Sequence, residues 1–290
     1  MKVGRRTIEL SHPDKVLIPD GITKRDIAEY YAAVAPAMVP HLKDRPLALQ
    51  AFPAGIERKG FFMKNVPDHF PSWIARATLP KRGGEITHVL ANEPATLVYL
   101  AGQNVVTPHV WLSRADMPRR PDRLTFDFDP SPGASFADVR AAARDAGERL
   151  RDAGLATFAM VTGSRGVHVV CPLKRTRDFD EVHAYARAVA EAMVEDDPKR
   201  FTLVWKKAER GARVYLDMNR IAYAQHAVAP YGIRPRAGAP VAMPIAWDEL
   251  SSRKLKPDGW TIRTAPRHLD AEGDAWADIA KHARPLPAER

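Results

Sequence analysis

The spacing at which apolar residues recur changes along this chain of 290 residues, and these changes predict where helices and strands alternate. Near the N-terminus, apolar residues recur at helical spacing behind Thr23 and Asp26, which form a capping-box pattern. We therefore expect a helix from about Lys24 to Ala35, with a second short helical piece starting at Pro36. The segments LALQAF, GFFMK and ITHVLA then predict short strands, and PATLVYLAGQ predicts a helix.

From residue 124 onward, the pattern predicts a regular order of elements. The strand LTFDFDP comes first, and an amphipathic helix follows between Ser135 and Gly154. Two strands (LATFAMVTG and SRGVHVVCPL), a helix from Asp178 to about Val194, and two strands (FTLVWKK and RVYLDMNR) complete the series. The order from residue 124 is thus β-α-β-β-α-β, the ferredoxin-like arrangement, with extra strands and a C-terminal segment after it, which places the chain in the α+β class.

The overall composition is that of a globular protein. Hydrophobic residues make up 45% of the chain, and no run of about 18 apolar residues that could span a membrane is present. The N-terminal MKVGRRTIEL has no apolar core of a secretory signal, so we expect a cytoplasmic location and no membrane partner. The single cysteine, Cys171, excludes an internal disulfide framework and a zinc site built from several thiolates.

The chain carries a net charge of +9, with a sequence pI near 9.7. An excess of positive charge favours a polyanionic partner such as nucleic acid. An arginine-rich composition also follows from GC-rich coding, and the many alanine and proline residues fit that explanation equally well. Charge alone therefore leaves both interpretations open.

Two carboxylates lie in the apolar strand LTFDFDP. Asp127 and Asp129 are two residues apart, so their side chains point to the same face of a strand. Like charges held this close need a compensating cation, either a metal ion or an arginine. Pro130 ends the strand and places the pair at its C-terminal end. The alternative is an acidic pair that caps a turn or pairs with surface arginines.

Two further segments predict partners for this pair. The turn TGSRGVH has two glycines that allow close backbone approach, with a hydroxyl, a guanidinium and an imidazole suited to phosphate oxygens. Asp217 ends the apolar segment VYLD. Because the first strand of the β-α-β-β-α-β order is central, three aspartates could converge on one face. Three carboxylates beside phosphate ligands are what two divalent cations need for phosphoryl transfer.

Two N-terminal groups are candidates for contacts with nucleic acid. His12, Lys15 and Lys24 surround a tight turn and a helix N-terminus, where free amides and the helix dipole favour a phosphate. A solvated basic face is the alternative. Phe61 and Phe62 lie among basic residues, and an exposed ring there would stack on a base. Adjacent strand residues face opposite sides, so we expect at least one of these rings in the core.

The motifs FDFDP, TGSRGVH and VYLD resemble, in this order, the three motifs of the archaeo-eukaryotic primase superfamily. More closely, the chain resembles the polymerase domain of bacterial ATP-dependent DNA ligase D in a stand-alone form, from LSHPDKV through HVWLSR and APYGIR to PVAMPIAWDEL. The resemblance implies a primase-polymerase fold in which an N-terminal α/β module packs against the ferredoxin-like core. It implies a single domain over 1–290, with a module at 1–118, a catalytic core at 119–250 and an extension at 251–290.

The resemblance also implies roles for individual residues. Asp127, Asp129 and Asp217 would hold two Mn²⁺ or Mg²⁺ ions, and Phe61 and Phe62 would stack on the template. The basic set His12, Lys15 and Lys24 would bind the 5′-phosphate on the far side of a DNA gap. The incoming nucleotide would be held by His109, Thr162, Ser164, Arg165, His168, Arg210 and Arg234, with His109 and Thr162 beside a preferred ribose 2′-hydroxyl.

The function implied by the resemblance is DNA-dependent synthesis by a nucleotidyltransferase in the repair of double-strand breaks or gaps. Its substrates would be NTPs or dNTPs, with ribonucleotides preferred, and DNA that carries gaps or broken ends. Its partners would be Ku and a separate ATP-dependent DNA ligase, in a nucleoid-associated cytoplasmic location. Two alternatives remain open: a primase that starts strands without a primer, and a catalytically weak module that binds DNA ends and recruits Ku or a ligase.

Overall fold

A computed structural model describes residues 1–288 of the chain, which contain five α-helices and sixteen β-strands. The helices are α1 (Lys24–Leu42), α2 (Pro94–Gly102), α3 (Phe136–Asp152), α4 (Phe179–Asp196) and α5 (Ala265–Glu272). The first nine strands are β1 (Lys2–Val3), β2 (Arg6–Thr7), β3 (Val16–Ile18), β4 (Ile22–Thr23), β5 (Leu47–Ala51), β6 (Phe61–Met63), β7 (Arg76–Lys81), β8 (Gly84–Val89) and β9 (Val105–Trp111). The others are β10 (Arg123–Pro130), β11 (Phe158–Val161), β12 (Val167–Pro172), β13 (Phe201–Thr202), β14 (Val214–Asp217), β15 (His226–Val228) and β16 (Met243–Ile245).

The chain divides into two compact units, and neither is continuous in sequence. The first unit contains Met1–Asp116, His226–Met243 and Trp260–Asp274. The second contains Met117–Gln225, Pro244–Gly259 and residues 275–288. No helix within residues 1–288 combines the length and the apolar character that crossing a membrane requires.

The first unit is built on an antiparallel sheet with the strand order β15-β9-β5-β6. The helix α1 packs on α2, and its Thr23 and Asp26 form the expected capping box. The prediction that this helix stops near Ala35 is wrong, because α1 continues through Pro36 and Pro40 to Leu42. Its inward face stays apolar along this length, and burial of that face outweighs the lost backbone hydrogen bonds.

A buried polar cluster joins distant segments of the first unit. His41 Nε2 lies 2.7 Å from Asp274 Oδ2, and the Tyr231 hydroxyl donates to Asp274 Oδ1. Burial first, and then the neighbouring carboxylate, raise the pKa of Tyr231. The cluster links α1 to the returning segments near residues 231 and 274, which explains why a unit so dispersed in sequence is compact.

The second unit contains the ferredoxin-like sheet, and its strand order is β13-β14-β10-β12-β11-β16. Within it, β14-β10-β12-β11 is the 4-1-3-2 order expected for β-α-β-β-α-β, with antiparallel neighbours throughout. The side chains of Phe126 and Phe128 are fully buried on the face that α3 and α4 cover. Thr125, Asp127 and Asp129 alternate with these phenylalanines along β10 and therefore point to the opposite face.

One predicted strand of this sheet is much shorter than expected. The segment FTLVWKK predicts a strand of seven residues, but β13 contains only Phe201 and Thr202, paired in parallel with β14. The chain then leaves the sheet edge and forms a short 3-10 helix at Lys207–Glu209. Trp205 is therefore not a core residue but is 68% exposed.

We expect the α3 capping box to stabilise the second unit in a pH-dependent way. Ser135 Oγ accepts from the Asp138 backbone N–H, and Asp138 Oδ2 accepts from the Ser135 N–H. These hydrogen bonds with Ser135 lower the pKa of Asp138, so their stabilisation is present at neutral pH and is lost as acidification protonates the carboxylate. Ser135→Ala should cost about 1 kcal/mol at pH 7 in thermal unfolding.

Ser135→Thr is the matched control for this prediction, because threonine also caps helices. It should unfold close to the wild-type temperature at pH 7. The gap between Ser135→Ala and wild type should narrow as the pH falls below the ordinary aspartate pKa. A gap that stays the same at every pH would show that the carboxylate makes no contribution.

Candidate active site and nucleic-acid contacts

Three aspartates lie side by side on the face of the ferredoxin-like sheet opposite to α3 and α4. Asp127 of β10 is directly opposite Asp217 of β14, and on its other side it is opposite His168 of β12. Asp129, two residues further along β10, is opposite Tyr215. Residues opposite each other in antiparallel strands project to the same face, so these five side chains form one polar layer. The structure thus brings together the three carboxylates that the sequence nominated.

The carboxylates in this layer already have polar neighbours. His168 Nε2 lies 3.5 Å from Asp127 Oδ1. Asp217 Oδ1 accepts from the Asn219 backbone N–H at 2.8 Å and from the Asn219 side-chain amide at 2.5 Å. Within residues 1–288, no three His, Cys, Asp or Glu side chains are already arranged as a metal-binding group.

The negative charges in this layer repel one another, and the pKa of Asp129 shows the effect. Burial, and next the adjacent charge of Asp127, raise the pKa of Asp129 to about 6. Asp217 contributes in the same direction, whereas Arg165 and His168 act against it. Removal from water and like-charge repulsion both disfavour the ionised carboxylate.

A divalent cation is chemically suited to this layer. Asp127, Asp129 and Asp217 offer oxygen ligands alone, which hard cations such as Mg²⁺ and Mn²⁺ prefer over nitrogen and sulfur. Burial and the charge of Asp127 raise the pKa of Asp129 despite the nearby Arg165 and His168, and a bound cation would relieve the repulsion directly. The residues present therefore fit a metal ion.

The turn between β11 and β12 is packed tightly against the end of β10. The Thr162 N–H donates to Gly166 O, and the Gly166 N–H donates to Thr162 Oγ1. A Cβ atom added at Gly166 would lie 2.5 Å from Phe128 O and 3.2 Å from Asp129 Oδ1, so only glycine permits this approach. Arg165 is exposed at the turn, and Ser164 is half-buried beside it. Both predicted phosphate contacts therefore lie next to the acidic layer.

A pocket of about 340 Å³ adjoins two of the aspartates. Its lining residues are Asp129, Trp205, Lys206, Lys207, Arg210, Tyr215 and Asp217. The sequence did not point to Trp205, Lys206 or Lys207, because the segment FTLVWKK was assigned to a strand. The usable signal was an aromatic residue directly followed by two lysines, a combination typical of nucleic-acid contacts.

Arg210, expected to contact the nucleotide, has a structural role in this pocket. Its guanidinium donates to Val204 O and to Trp205 O, each at 2.8 Å. The same group lies 3.5 Å from the centre of the Tyr215 ring. Arg210 is buried, and these contacts hold the segment after β13 against β14.

In the first unit, the aromatic pair on β6 is exposed. Phe61 and Phe62 are 52% and 43% exposed, so the expectation that one of them packs in the core is wrong. Within the described residues, the strand β6 is the edge of its sheet and pairs only with β5. The Phe62 ring lies 5.2 Å from the His109 ring and 5.1 Å from the His226 ring, and the two histidine Nδ1 atoms are 3.2 Å apart.

His226 is a neighbour of the predicted site residue His109 that sequence patterns did not reveal, since the two histidines are 117 positions apart in the chain. Arg234 also belongs to the first unit, where it is half-buried. Its backbone N–H donates to Pro240 O at 2.7 Å. His109 and Arg234 therefore share a unit, and the other predicted nucleotide contacts share the second unit.

The predicted 5′-phosphate residues lie around the turn that precedes α1. A pocket of about 430 Å³ is lined by His12, Pro13, Asp14 and Lys15. Lys24 is buried, and its Nζ donates to Ser11 O at 2.7 Å. Burial, and then the charge of Lys15, lower the pKa of Lys24. Two lysines near enough to interact in this way favour an anion between them.

The expectation that free helix amides contribute to this pocket is wrong. The Lys24 N–H donates to Lys15 O, and the Arg25 N–H donates to Pro13 O. The Asp26 N–H donates to Thr23 Oγ1. The first turn of α1 is therefore satisfied by protein groups, and the cationic side chains are the features left to attract a phosphate.

Comparison with known proteins was made against sequence families and curated proteins. Residues 23–276 match the family described as LigD, primase-polymerase domain. The chain is 33% identical over 262 residues to the multifunctional non-homologous end joining DNA repair protein LigD of Mycobacterium tuberculosis, and 26% identical over 266 residues to the bifunctional non-homologous end joining protein LigD of Bacillus subtilis. These matches cover 87% and 91% of this chain but only 34% and 43% of the relatives.

The fold also matches a solved structure. The polymerase domain of Mycobacterium tuberculosis Ligase D in complex with DNA superimposes with a TM-score of 0.90 and 29% sequence identity. The match covers 96% of this chain and 99% of that domain. The α+β fold predicted from the sequence is thereby confirmed.

The raised pKa of Asp129 predicts how stability depends on pH. In the folded protein this pKa is about 6, above the ordinary value of 3.8, so stability should fall as the pH rises from about 4 to about 6. Asp129→Asn removes the charge and keeps the shape. In the presence of EDTA, this variant should be more stable than wild type by roughly 1 to 3 kcal/mol at pH 8 and nearly equal to it at pH 4.

Thermal or urea unfolding across this pH range measures the effect. Asp258→Asn is a matched control, because Asp258 is exposed in the same unit and away from the acidic layer. It should leave the profile unchanged. An Asp129→Asn variant less stable than wild type at pH 8 would contradict the repulsion described above.

Proposed function

This chain belongs to the LigD primase-polymerase domain family and is a nucleotidyltransferase, and we propose that it extends the 3′ end of a DNA primer at gaps and broken ends. The observation that carries the proposal is the acidic layer, in which Asp127, Asp129 and Asp217 share one sheet face beside a basic pocket. Partial burial of three carboxylates close together lowers the stability of the fold, so their presence favours a catalytic role. The pocket that adjoins Asp129 and Asp217 gives a substrate access to this layer.

Asp127 and Asp129 would hold two divalent cations, Mn²⁺ or Mg²⁺, and Asp217 would complete the ligand set of the cation that serves the primer 3′-hydroxyl. Bound cations supply Lewis-acid stabilisation of the transferring phosphoryl group and lower the pKa of the attacking hydroxyl. Asn219 orients Asp217 through the hydrogen bonds to its Oδ1. His168 lies beside Asp127, and it would donate an N–H hydrogen bond to a substrate phosphate.

The incoming nucleotide is held by the turn at Thr162–Gly166 and by basic residues near it. Ser164 and Arg165 bind the triphosphate, because the exposed guanidinium lies next to the acidic layer where the α-phosphate must react. Arg210 and Arg234 add positive charge to the site. His109 and Thr162 are the proposed recognition residues for the ribose 2′-hydroxyl, so ribonucleotides are preferred.

The DNA is held by the first unit. His12, Lys15 and Lys24 bind the 5′-phosphate across the gap, and the exposed rings of Phe61 and Phe62 stack on the template. Residues 1–118 thus supply DNA contacts, residues 119–250 supply catalysis, residues 251–290 form an extension, and all act as one polymerase domain. The net charge of +9 adds a general attraction to DNA.

The cellular role in this proposal is repair of double-strand breaks by non-homologous end joining, or gap filling. Relatives from several bacteria are non-homologous end joining proteins, and the DNA-bound structural neighbour covers nearly the whole chain. The chain spans about a third of the length of the mycobacterial relatives. In the proposal, its partners are Ku and a separate ATP-dependent DNA ligase.

Primer extension on a gapped DNA template tests the catalytic part of the proposal. Asp127→Ala combined with Asp129→Ala should reduce incorporation by at least about 100-fold, because the phosphoryl group loses its electrostatic stabilisation. EDTA should have the same effect on wild type, and Mn²⁺ should restore activity. Comparing ATP with dATP measures the ribose preference, for which a higher kcat/KM with ATP is expected.

The matched control for primer extension is Asp258→Asn, which should extend primers like wild type. Normal incorporation by the double aspartate variant would refute the mechanism. Extension that does not depend on a template strand would refute the assignment as a DNA-dependent polymerase.

The 5′-phosphate pocket predicts a preference for phosphorylated gaps. Lys15→Ala should bind 5′-phosphorylated and unphosphorylated gaps with nearly equal affinity, because Lys15 is exposed beside the pocket and its loss removes one phosphate contact. The slope of log affinity against log salt should fall by about 1 for the phosphorylated gap. Fluorescence anisotropy with labelled DNA measures both quantities.

Lys2→Ala is the control for this pocket, because it removes an exposed lysine of the same unit. It should keep the ratio of affinities for phosphorylated and unphosphorylated gaps. If Lys15→Ala also keeps the wild-type ratio, the phosphate binds elsewhere.

A further inference from the structure

Trp205 is the most exposed large hydrophobic side chain within the described residues. Its exposed fraction is 68%, against 52% for Phe61 and 44% for Met117. An indole ring in water is unfavourable, and tryptophan is among the residues most often retained on a surface for binding. Trp205 also differs from Phe61 and Phe62 in position, since it lies in the second unit with the acidic layer.

The backbone of Trp205 is held in place by buried groups. Arg210 donates one hydrogen bond to Val204 O and another to Trp205 O, and its guanidinium stacks on Tyr215. Tyr215 is in turn opposite Asp129 in the sheet register. A chain of direct contacts therefore positions Trp205 relative to the carboxylates.

The surroundings of Trp205 indicate what kind of molecule its ring would meet. Trp205 shares the pocket of about 340 Å³ with Asp129 and Asp217, and the exposed Lys206 and Lys207 line the same pocket. An apolar protein partner would have to bury lysine and aspartate side chains here. A nucleotide presents a flat ring to an indole and phosphates to lysines, so its chemistry matches the pocket.

We propose that Trp205 is a stacking platform for a nucleobase held next to the acidic layer, with Arg210 as its positioning residue. The inference rests on the proposed function for the identity of the reaction, but it adds a base contact to that site. Two nucleotides meet at the reacting phosphate, the incoming one and the one at the primer 3′ end. Both present the same π face, and the experiment below separates them.

Equilibrium binding tests the platform without turnover. The probes are ATP alone and a primer–template with a dideoxy 3′ end alone, each with Ca²⁺ in place of a catalytic metal. Trp205→Ala should weaken binding of at least one probe by about 5- to 100-fold, as expected for the loss of one stacked base. Trp205→Phe should stay within about threefold of wild type, because a phenyl ring also stacks.

Intrinsic fluorescence supplies an independent readout. The probe that occupies the platform should quench an emission component that is present in wild type and absent in Trp205→Phe. Quenching by ATP identifies the incoming base, and quenching by the primer–template identifies the primer terminus. Either result supports the platform, and quenching by neither probe overturns it.

Controls separate this inference from a folding defect and from the proposed function. Trp205→Ala should keep the wild-type unfolding temperature, because the ring is exposed, and Met117→Ala should bind both probes normally. In primer extension, Trp205→Ala should raise KM more than it lowers kcat if the incoming base is the ligand.

Two outcomes separate the platform from the proposed function. If wild-type protein binds a probe and its Trp205 fluorescence is quenched, but it never extends a primer, the proposed function is refuted and the platform is retained. Wild-type affinity of Trp205→Ala for both probes would overturn the platform alone.

Discussion

The repulsion among three carboxylates on one face of the ferredoxin-like sheet is the constraint on which the rest of the second unit depends. Asp127 and Asp217 are direct neighbours across two strands, and Asp129 is one alternation further along β10. Burial and like charge together raise the pKa of Asp129 to about 6. A fold selected for stability alone would replace at least one of these residues, so the charge points to a function that needs it.

The two faces of this sheet have different roles: one packs in the apolar core, and the other presents the aspartates. Phe126 and Phe128 pack beneath α3 and α4, and they anchor β10 at the centre of the sheet while the aspartates project the other way. The closest supports of the acidic layer come from loops. The turn containing Gly166 approaches Asp129 because it has no Cβ, and Arg210 stacked on Tyr215 positions the segment with Trp205. The strands thus position the three carboxylates, and adjacent loops supply the basic side chains and the aromatic ring around them.

The first unit presents a different kind of surface. Its cationic pocket near Lys15 depends on side chains, because the amides at the start of α1 bond to the preceding turn. Its aromatic pair lies on an edge strand, where both rings remain exposed. The His41–Asp274–Tyr231 cluster stabilises the scaffold under these surfaces by joining segments that are far apart in sequence. A cationic pocket and exposed aromatic rings at separate places suit the binding of a long, charged polymer at several points.

Local sequence patterns determined where α1, α3 and α4 begin, after Thr23, Ser135 and Asp178, and the order of strands and helices in the core, because periodicity and helix capping act over a few residues. They also nominated the three aspartates, since a charge inside an apolar strand is visible in sequence. Only the tertiary structure decided that α1 passes through two prolines, that FTLVWKK leaves the sheet after two residues and exposes Trp205, and that His226 meets His109. These features depend on which surfaces are buried against partners distant in sequence, and that information is absent from any local window of the chain.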